Sequence, residues 1–290
     1  MARLLQLLLI AMATGALVAC APPSPAQSGG NQTLSSTDPG TGGGGETPPP
    51  NDPGQPAQPP PMTAPPPPIA RPSSAANLKV CPLATDLRGA DVSDYDPGTN
   101  WPTLKNGGRS FAIIKATEGN SYVNPLFKSD WEAAKGAGVI RGAYHFYHAG
   151  DNPTTQANQF IKTMGKLEAD DMAPVFDWET NEKTSTATAI ANAKIFLDAV
   201  QKATGRVPII YTGTSFWNSM GNPAYFIKYP LYLAEYEVSC PNVPPPWSKW
   251  TMWQNADTGG VSGITTKNVD QDYFAGTMDE LIEFVAAGWF

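Results

Sequence analysis

Two carboxylates at the end of a short apolar run are the residues of this chain with the clearest capacity for chemistry. The run occupies residues 174–180, and one residue separates Asp177 from Glu179. In an extended strand both acids project from one side, with their Cβ atoms roughly 6.6 Å apart. Like charges at the end of a buried strand raise the pKa of one acid. A protonated acid beside an ionised one is suited to cleaving a glycosidic bond, and a solvated strand-to-loop turn is the alternative.

The elements that would position these acids alternate between strand and helix, which favours a parallel sheet. Strands are predicted at residues 89–95, 111–117, 142–147, 173–178, 207–212, 231–236, 251–254 and 269–273. Helices are predicted between the first five strands, at residues 100–106, 124–137, 153–165 and 184–204. Later connections are rich in proline and turn residues and predict no long helix. The α/β pattern is an incomplete version of the eight-stranded barrel, whose active site lies at the C-terminal ends of the strands.

Seven short motifs occur in order at these predicted strands. They are GADVS at 89–93, IIKATEG at 113–119, GAYHF at 142–146, the Asp177/Glu179 pair, PIIYT at 208–212, WQ at 253–254 and VD at 269–270. Together they resemble the glycoside hydrolase family 25 lysozymes, which cleave the β-1,4 bond between N-acetylmuramic acid and N-acetylglucosamine in peptidoglycan. The resemblance covers residues 89 to 274 and implies an irregular TIM-like barrel, with five β/α units followed by three strands with little helix.

The resemblance also implies roles for four acids. Glu179 matches the general acid, Asp177 its partner, Asp91 the acid of the first strand and Asp270 the acid of the last. Four carboxylates at one mouth destabilise their ionised forms, which favours a functional explanation, while capping or loop hydrogen bonding is the alternative for Asp91 and Asp270. The strand spacing leaves open whether a carboxylate or the substrate's N-acetyl carbonyl attacks the anomeric carbon. The resemblance favours the N-acetyl group, with retention.

Five further side chains are predicted to bind substrate or support the site: Tyr211, Trp253, Lys115, His145 and Tyr144. Lys115 either balances the charge of the acids or is solvated, because a lysine inside a barrel needs acidic partners. His145 is either a hydrogen-bonding core residue or a substrate residue. It faces the opposite side of a strand from His148, so no metal pair is expected, and no cofactor is predicted.

Two positions depart from the family pattern. Trp178 stands between the two strand-four acids, where an aliphatic residue is usual, and we expect it to face the helix layer. Asp270 is followed by Gln271 and Asp272, where leucine and asparagine are common.

The N-terminus is predicted to be a targeting segment. Residues 1–19 combine Arg3 with a short apolar run, as in a signal peptide, and residues 17–20 (LVAC) resemble a bacterial lipobox. That resemblance implies lipidation of Cys20, and an ordinary secretory signal is the alternative. We therefore expect export and a lipid anchor in the cell envelope, at the outer membrane or periplasmic face if the host is Gram-negative.

A tether and one catalytic domain are predicted after the signal. Residues 20–76 are rich in proline and glycine and bury too little apolar surface to fold. Residues 77–290 suffice for one barrel domain, expected to be monomeric, and its Cys81 and Cys240 are expected to form a disulfide in an oxidising compartment. The formal net charge of −7 argues against a nucleic-acid partner, whereas a polysaccharide such as peptidoglycan fits the aromatic content.

Two other functions are consistent with parts of this pattern. A hydrolase of another N-acetylglucosamine polymer, such as chitin, would also carry an Asp-x-Glu pair on its fourth strand. A non-catalytic peptidoglycan-binding lipoprotein would keep the barrel and lose some of the acids, and here all four are present.

Overall fold

Eight short strands close into a barrel in the computed structural model, which describes residues 68–288. In chain order the strands are β1 (Leu78–Lys79), β2 (Leu87–Val92), β3 (Arg109–Glu118), β4 (Tyr122–Val123), β5 (Ile140–Phe146), β6 (Val175–Asp177), β7 (Ile209–Gly213), β8 (Leu231–Ala234), β9 (Asn242–Val243), β10 (Met252–Ala256) and β11 (Asp270–Phe274). The barrel contains all of them except β1, β4 and β9, and it includes every predicted strand. The predicted signal peptide and Cys20 lie outside the described residues.

The barrel strands are parallel to their neighbours except for β11, which is antiparallel to both β10 and β2. β11 therefore begins at the end of the barrel where the parallel strands finish. Its first residue, Asp270, is the register partner of Asp91 on β2. The reversed direction of this strand brings an acid from the end of the chain to the same mouth as an acid from the first barrel strand.

Helices follow the first five barrel strands, and most carry local start or stop signals. They are α1 (Trp101–Asn106), α2 (Phe127–Gly136), α3 (Pro153–Met164), α4 (Thr186–Thr204) and α5 (Thr214–Ser219), with a 3-10 helix at Ala224–Lys228. Asn152 caps α3 by accepting hydrogen bonds from two backbone N–H groups, and Gly205 ends α4 in the left-handed conformation. This order of elements confirms the predicted irregular barrel of five β/α units followed by three strands.

The prediction of no long helix after the fifth strand is wrong at the end of the chain. A sixth helix, α6 (Met278–Ala287), follows β11 and begins with a capping box. Its side chains Leu281, Phe284 and Val285 are buried against the residues that fill the barrel interior. The backbone N–H of Val207, which precedes β7, bonds to the carbonyl after this helix. α6 therefore covers the end of the barrel opposite to the acids.

Alternation along the strands divides the buried side chains between the barrel interior and a layer beneath the helices. The interior is filled mainly by Phe111, Ile113, Val175, Ile209, Tyr211, Tyr232, Met252 and Phe274. Trp178 belongs to the outer layer, where its ring centroid lies 5.7 Å from that of Phe216 and 5.8 Å from that of Trp217. Its outward direction confirms the prediction and leaves Asp177 facing inward.

The end of the predicted tether lies against the barrel. Arg71 donates hydrogen bonds to the carbonyl oxygens of Val243 at 3.4 Å and Trp247 at 2.7 Å. Its backbone N–H also bonds to the carbonyl of Pro246 at 3.0 Å. Arg71 therefore has fixed partners on the barrel, five residues before the predicted end of the tether at residue 76.

A disulfide between Cys81 and Cys240 joins this N-terminal segment to the connection between β8 and β10, which confirms the predicted bridge. Residues 235–251 of that connection contain no helix, and the indole N–H of Trp250 donates to the carbonyl of Val80 at 2.9 Å. The segment before β2 thus covers a side of the barrel that lacks a helix. Within residues 68–288, no helix has the length and apolar character needed to cross a membrane.

Candidate active site

The first and last barrel strands each contribute one acid to the mouth. Asp91 and Asp270 are register partners where β2 and β11 meet. Asp91 is 8% exposed, and Asp270 is half-buried. Burial raises the pKa of Asp91 well above its ordinary value, and the charges of Asp270, Asp272 and Asp177 raise it further. The acids of these strands therefore interact with one another as members of one electrostatic group.

The fourth barrel strand contributes the acid pair. β6 ends at Asp177, and the backbone N–H of Trp178 still bonds to the carbonyl of Tyr211 on β7 at 3.0 Å. Asp177 is 7% exposed, and burial followed by the charge of Glu179 raises its pKa. Glu179 is exposed to solvent on one side, but the surrounding residues of the mouth desolvate its carboxyl group enough to raise its pKa as well. Asp177 is thus the enclosed acid of the pair, and Glu179 is the accessible one.

Lys115 places a positive charge beside this pair. Its side chain is buried on the inner face of β3, and its charge opposes the increase in the pKa of Asp177 and Glu179. Its Nζ also forms an ion pair with Glu118 at 2.6 Å. A bulge in the pairing of β3 with β5 brings Lys115 and Glu118 onto one face and turns Thr117 outward, although strict alternation along the strand would put Lys115 and Thr117 on the same face. Of the two predicted roles for Lys115, its burial supports charge balance.

Tyr211 and Tyr144 occupy the inner face of the barrel near the mouth. The hydroxyl of Tyr211 donates to Gln254 Oε1 at 2.7 Å, and the hydroxyl of Tyr236 donates to the same oxygen at 2.5 Å. The amide nitrogen of Gln254 lies 3.5 Å from Asp91 Oδ2. These contacts connect the predicted site residue Tyr211 through Gln254 to Asp91, the acid of β2. Tyr144 is half-buried on β5.

Two predicted substrate residues, Trp253 and His145, lie outside the mouth. Trp253 is buried on the outer face of β10, where its ring stacks on that of Tyr273 with 5.3 Å between centroids. His145 also points outward, and its ring nitrogens bond to Thr117 Oγ1 at 2.7 Å and Gln156 Oε1 at 3.0 Å. Burial lowers the pKa of His145 to about 3, so this core residue is neutral. Among residues 68–288, no group of three histidine, cysteine or acidic side chains is placed to hold a metal ion.

A row of alternating charges, which the sequence did not indicate, runs along one side of the mouth. His148 bonds through Nδ1 to Glu182 and through Nε2 to Glu118 at 3.2 Å, and Glu118 also pairs with Lys115. The hydrogen bond between His148 and Glu118 raises the pKa of His148 and lowers the pKa of Glu118 to about 2. Glu182, which has a φ of 48°, belongs to the loop that carries Glu179. The row therefore fastens this loop to β3 and β5.

Three more residues at or below the mouth are not among the predicted site residues. Tyr95 and Tyr122 are exposed in segments that follow β2 and β3, and the ring of Tyr122 lies 5.4 Å from Lys115 Nζ. Asp272 is fully buried and accepts a hydrogen bond from the hydroxyl of Tyr232 at 2.6 Å. The position of the two rim tyrosines after strands was a usable signal, whereas Asp272 was visible only as a departure from a motif.

The comparisons with known proteins agree with this geometry. Residues 90–264 match the family model described as "Glycosyl hydrolases family 25". The chain is 36% identical over 216 residues to the N,O-diacetylmuramidase of Arthroderma benhamiae, covering 71% of this chain and 89% of that protein. A bacterial lysozyme structure from Streptomyces coelicolor has a TM-score of 0.67 at 33% identity, covering 71% of this chain and 100% of that chain. The family 25 lysozyme structure from Aspergillus fumigatus has a TM-score of 0.64 at 34% identity, covering 70% and 100%.

The charged row makes stability depend on pH in a defined window. Because the pKa of His148 is higher in the folded protein than in the unfolded chain, protonated His148 stabilises the fold. This contribution is fully present below about pH 6.5 and is lost as the pH rises through the folded-state pKa. The lowered pKa of Glu118 stabilises the fold above about pH 4.5, and this contribution is lost as the pH falls toward 2. We therefore expect His148→Asn to lower the free energy of unfolding by about 1–2 kcal/mol at pH 5.5 and by less at pH 8.5.

Urea unfolding at the two pH values measures this difference. Lys135→Gln is a suitable control, because it removes a surface ion pair between Lys135 and Glu168. Lysine stays charged at both pH values, so the loss of stability in this variant should not depend on pH. Equal losses for His148→Asn at pH 5.5 and pH 8.5 would contradict the prediction.

Proposed function

The chain belongs to glycosyl hydrolase family 25, and we propose that the acids at its barrel mouth cleave peptidoglycan between N-acetylmuramic acid and N-acetylglucosamine. It is a glycoside hydrolase of the muramidase type. The observation that carries the assignment to this site is the gathering of Asp91, Asp177, Glu179 and Asp270 at one end of the barrel. Because like charges in a partly dry mouth are unfavourable, packing alone does not account for them.

Glu179 has the properties of the general acid. It is the accessible member of the acid pair, so a glycosidic oxygen can approach it, and its raised pKa favours the protonated form needed at rest. Lys115 keeps that pKa from rising further, which allows the proton to leave. The proton passes from Glu179 to the glycosidic oxygen as the bond between this oxygen and the anomeric carbon breaks.

We infer that Asp177 orients the substrate and does not itself attack the anomeric carbon. In the retaining reaction that we favour, the N-acetyl carbonyl oxygen of the substrate forms a bond to the anomeric carbon while the leaving group departs. Asp177 accepts a hydrogen bond from the N–H of the same acetamido group and stabilises its developing positive charge. Asp177 keeps 7% of its surface exposed at the mouth, through which the acetamido N–H can reach a carboxylate oxygen. Ionised Glu179 then removes a proton from water, which attacks the anomeric carbon and regenerates the acid.

Tyrosines supply the surfaces on which sugar rings can stack. Tyr144 is half-buried on the inner face of the mouth, and Tyr95 and Tyr122 extend that face at the rim, whereas the ring of Tyr211 is buried below them. An exposed aromatic ring covers the apolar face of a pyranose without requiring charge, which suits a polymer of N-acetylated sugars. The alternative of a non-catalytic wall-binding protein predicts a damaged set of acids, whereas all four are in place.

The assignment of Glu179 predicts a large loss of activity in Glu179→Gln. Glutamine keeps the size of the side chain but cannot donate a proton in this way, so we expect the rate of turbidity loss of purified peptidoglycan to fall by about 10²- to 10⁴-fold. Glu283→Gln is a matched control, because Glu283 is exposed on α6 at the opposite end of the barrel. Equal rates for the wild type and Glu179→Gln would refute the assignment of the general acid.

Substrate assistance predicts that the N-acetyl group is required. The first product detected by NMR should have the β configuration at the new reducing end, as in the substrate bond. Chemically N-deacetylated peptidoglycan should resist cleavage, and re-acetylation of the same sample should restore it. Efficient cleavage of the deacetylated polymer would instead identify a carboxylate as the nucleophile, and a product of the α configuration would exclude retention.

We also propose that the enzyme is exported and anchored by a lipid on Cys20. The lipobox-like residues 17–20 support the anchor, and the attachment of Arg71 to the barrel leaves about 50 residues of proline-rich spacer between them. At about 3.1 Å per residue this spacer could reach roughly 150 Å from the membrane. That distance would let a monomeric barrel reach wall polymer while it remains attached.

The anchor predicts that Cys20→Ser moves the protein from the membrane fraction to the soluble fraction of a bacterial host. Mass spectrometry of the wild-type N-terminal peptide should show a diacylglyceryl group on Cys20. A matched substitution at another small polar residue of the spacer, Ser35→Ala, should leave the protein in the membrane fraction. An unmodified Cys20 in the mature wild-type protein would refute the anchor.

A further inference from the structure

A fifth acid lies beneath the mouth, in a place that the proposed reaction does not use. Asp272 shares the inner face of β11 with Asp270, because side chains alternate along a strand. Its register partners are Gly89 on β2 and Gln254 on β10. Its side chain is 0% exposed, so it forms part of the floor under Asp91 and Asp270.

The two oxygens of Asp272 have unequal surroundings. Oδ1 accepts a hydrogen bond from the hydroxyl of Tyr232 on β8 at 2.6 Å. Oδ2 is buried and has no hydrogen-bond partner among the described residues. An ionised carboxylate in such a place would leave much of its charge without compensation, which is strongly unfavourable. A proton on Oδ2 removes that penalty and makes the same atom a hydrogen-bond donor.

The net effect of the surroundings of Asp272 also favours its protonated form. Desolvation has the largest effect and raises its pKa, and the charge of Asp270 raises it further. The hydroxyl of Tyr232 and the charges of Arg109 on β3 and Arg88 on β2 act in the opposite direction, and the resulting pKa is about 7. The nearby acid of β2, Asp91, is in turn affected by Asp272, whose charge raises the pKa of Asp91.

Neither arginine neutralises Asp272 from inside the barrel. The guanidinium of Arg88 lies 3.9 Å from the centre of the Tyr273 ring, and Tyr273 belongs to the outer face of β11. Arg109 donates to Gln271 Oε1 at 3.0 Å, on the same outer face. Their positive charges act through the wall of the barrel, so a proton is the compensating charge available on the inner side.

We propose that Asp272 is a positioning residue that works as a neutral acid, protonated on Oδ2, in the floor beneath Asp91 and Asp270. In this state it adds no charge to a mouth that already holds four carboxylates. When Asp272 ionises, its negative charge raises the pKa of Asp91 and favours the protonated form of that acid. The catalytic part of this inference rests on the proposed muramidase function, and the protonation of Asp272 does not.

The protonation state gives a signature in stability. A pKa raised from about 3.9 in the unfolded chain to about 7 in the folded protein means that the contribution to stability is fully present below pH 4. It is lost progressively as the pH rises to about 7 and is constant above that value. Asp272→Asn keeps the shape and the donor but cannot ionise, so this decline should disappear. At pH 8 we expect the variant to be more stable than the wild type.

The experiment compares the wild type, Asp272→Asn and Asp198→Asn by urea unfolding from pH 4 to pH 8. Asp198 is exposed on α4 and serves as a matched control for the loss of one aspartate. Tyr232→Phe provides a second test, because loss of the bond to Oδ1 should move the decline to higher pH. An unchanged decline in Asp272→Asn would overturn the proposal, as would a Tyr232→Phe curve identical to that of the wild type.

Activity on purified peptidoglycan tests the catalytic part. The kcat/KM of Asp272→Asn divided by that of the wild type should rise about tenfold from pH 6 to pH 8. The reason is that the protonated fraction of a group with a pKa of about 7 falls about tenfold in that interval. Titration of Glu179 is common to both proteins and cancels in the ratio. A constant ratio would overturn the positioning role. A wild type without lytic activity would refute the muramidase function, and the unfolding curves would still decide the protonation of Asp272.

Discussion

Repulsion between carboxylates at one end of the barrel is the constraint on which the rest of this structure depends. The acids come from β2, β6 and β11, and they meet because β11 runs antiparallel to its neighbours. Each acid raises the pKa of others, so they cannot all be ionised together at little cost. A fold that holds them in place needs stabilisation elsewhere. Part of it comes from the opposite end of the barrel, where α6 buries Leu281, Phe284 and Val285 against the interior. Another part comes from the segment that the disulfide fastens over the side without a helix.

Local patterns were sufficient to predict most of the barrel and its acid pair. All eight predicted strands correspond to strands of the barrel, and the alternation of Asp177, Trp178 and Glu179 correctly separates the acids from the indole. The helix α6 was missed although its capping box, Thr277 with Glu280, was present in the sequence. The proline-rich connections before it contain no helix between β8 and β10, and this does not extend to the segment after β11.

Side-chain direction was harder to predict where both faces of a strand are buried. Trp253 and Gln254 are both buried on β10, so polarity does not show which of them faces the mouth. The outer face there is covered by the connection before β10 and by Tyr273, which gives a tryptophan a dry environment outside the barrel. His145 is a similar case, because Gln156 and Thr117 satisfy its ring beneath the helices. Contacts such as His148 with Glu182 join segments 34 residues apart and leave no periodic signal.

The mouth consists of two halves that compensate negative charge in different ways. On the side of β3 and β6, Lys115 and His148 lie among Glu118, Glu182 and the acid pair, so cations offset the carboxylates. On the side of β2 and β11, the nearest arginines face outward, and Asp91 and Asp272 have raised pKa values. Neutrality there has to come from bound protons. Because a cation offsets charge without occupying a carboxylate oxygen, the first half can release and recover a proton at Glu179. In the proposed reaction both acids that act on the substrate, Asp177 and Glu179, belong to the first half, where Lys115 opposes the increase in their pKa values.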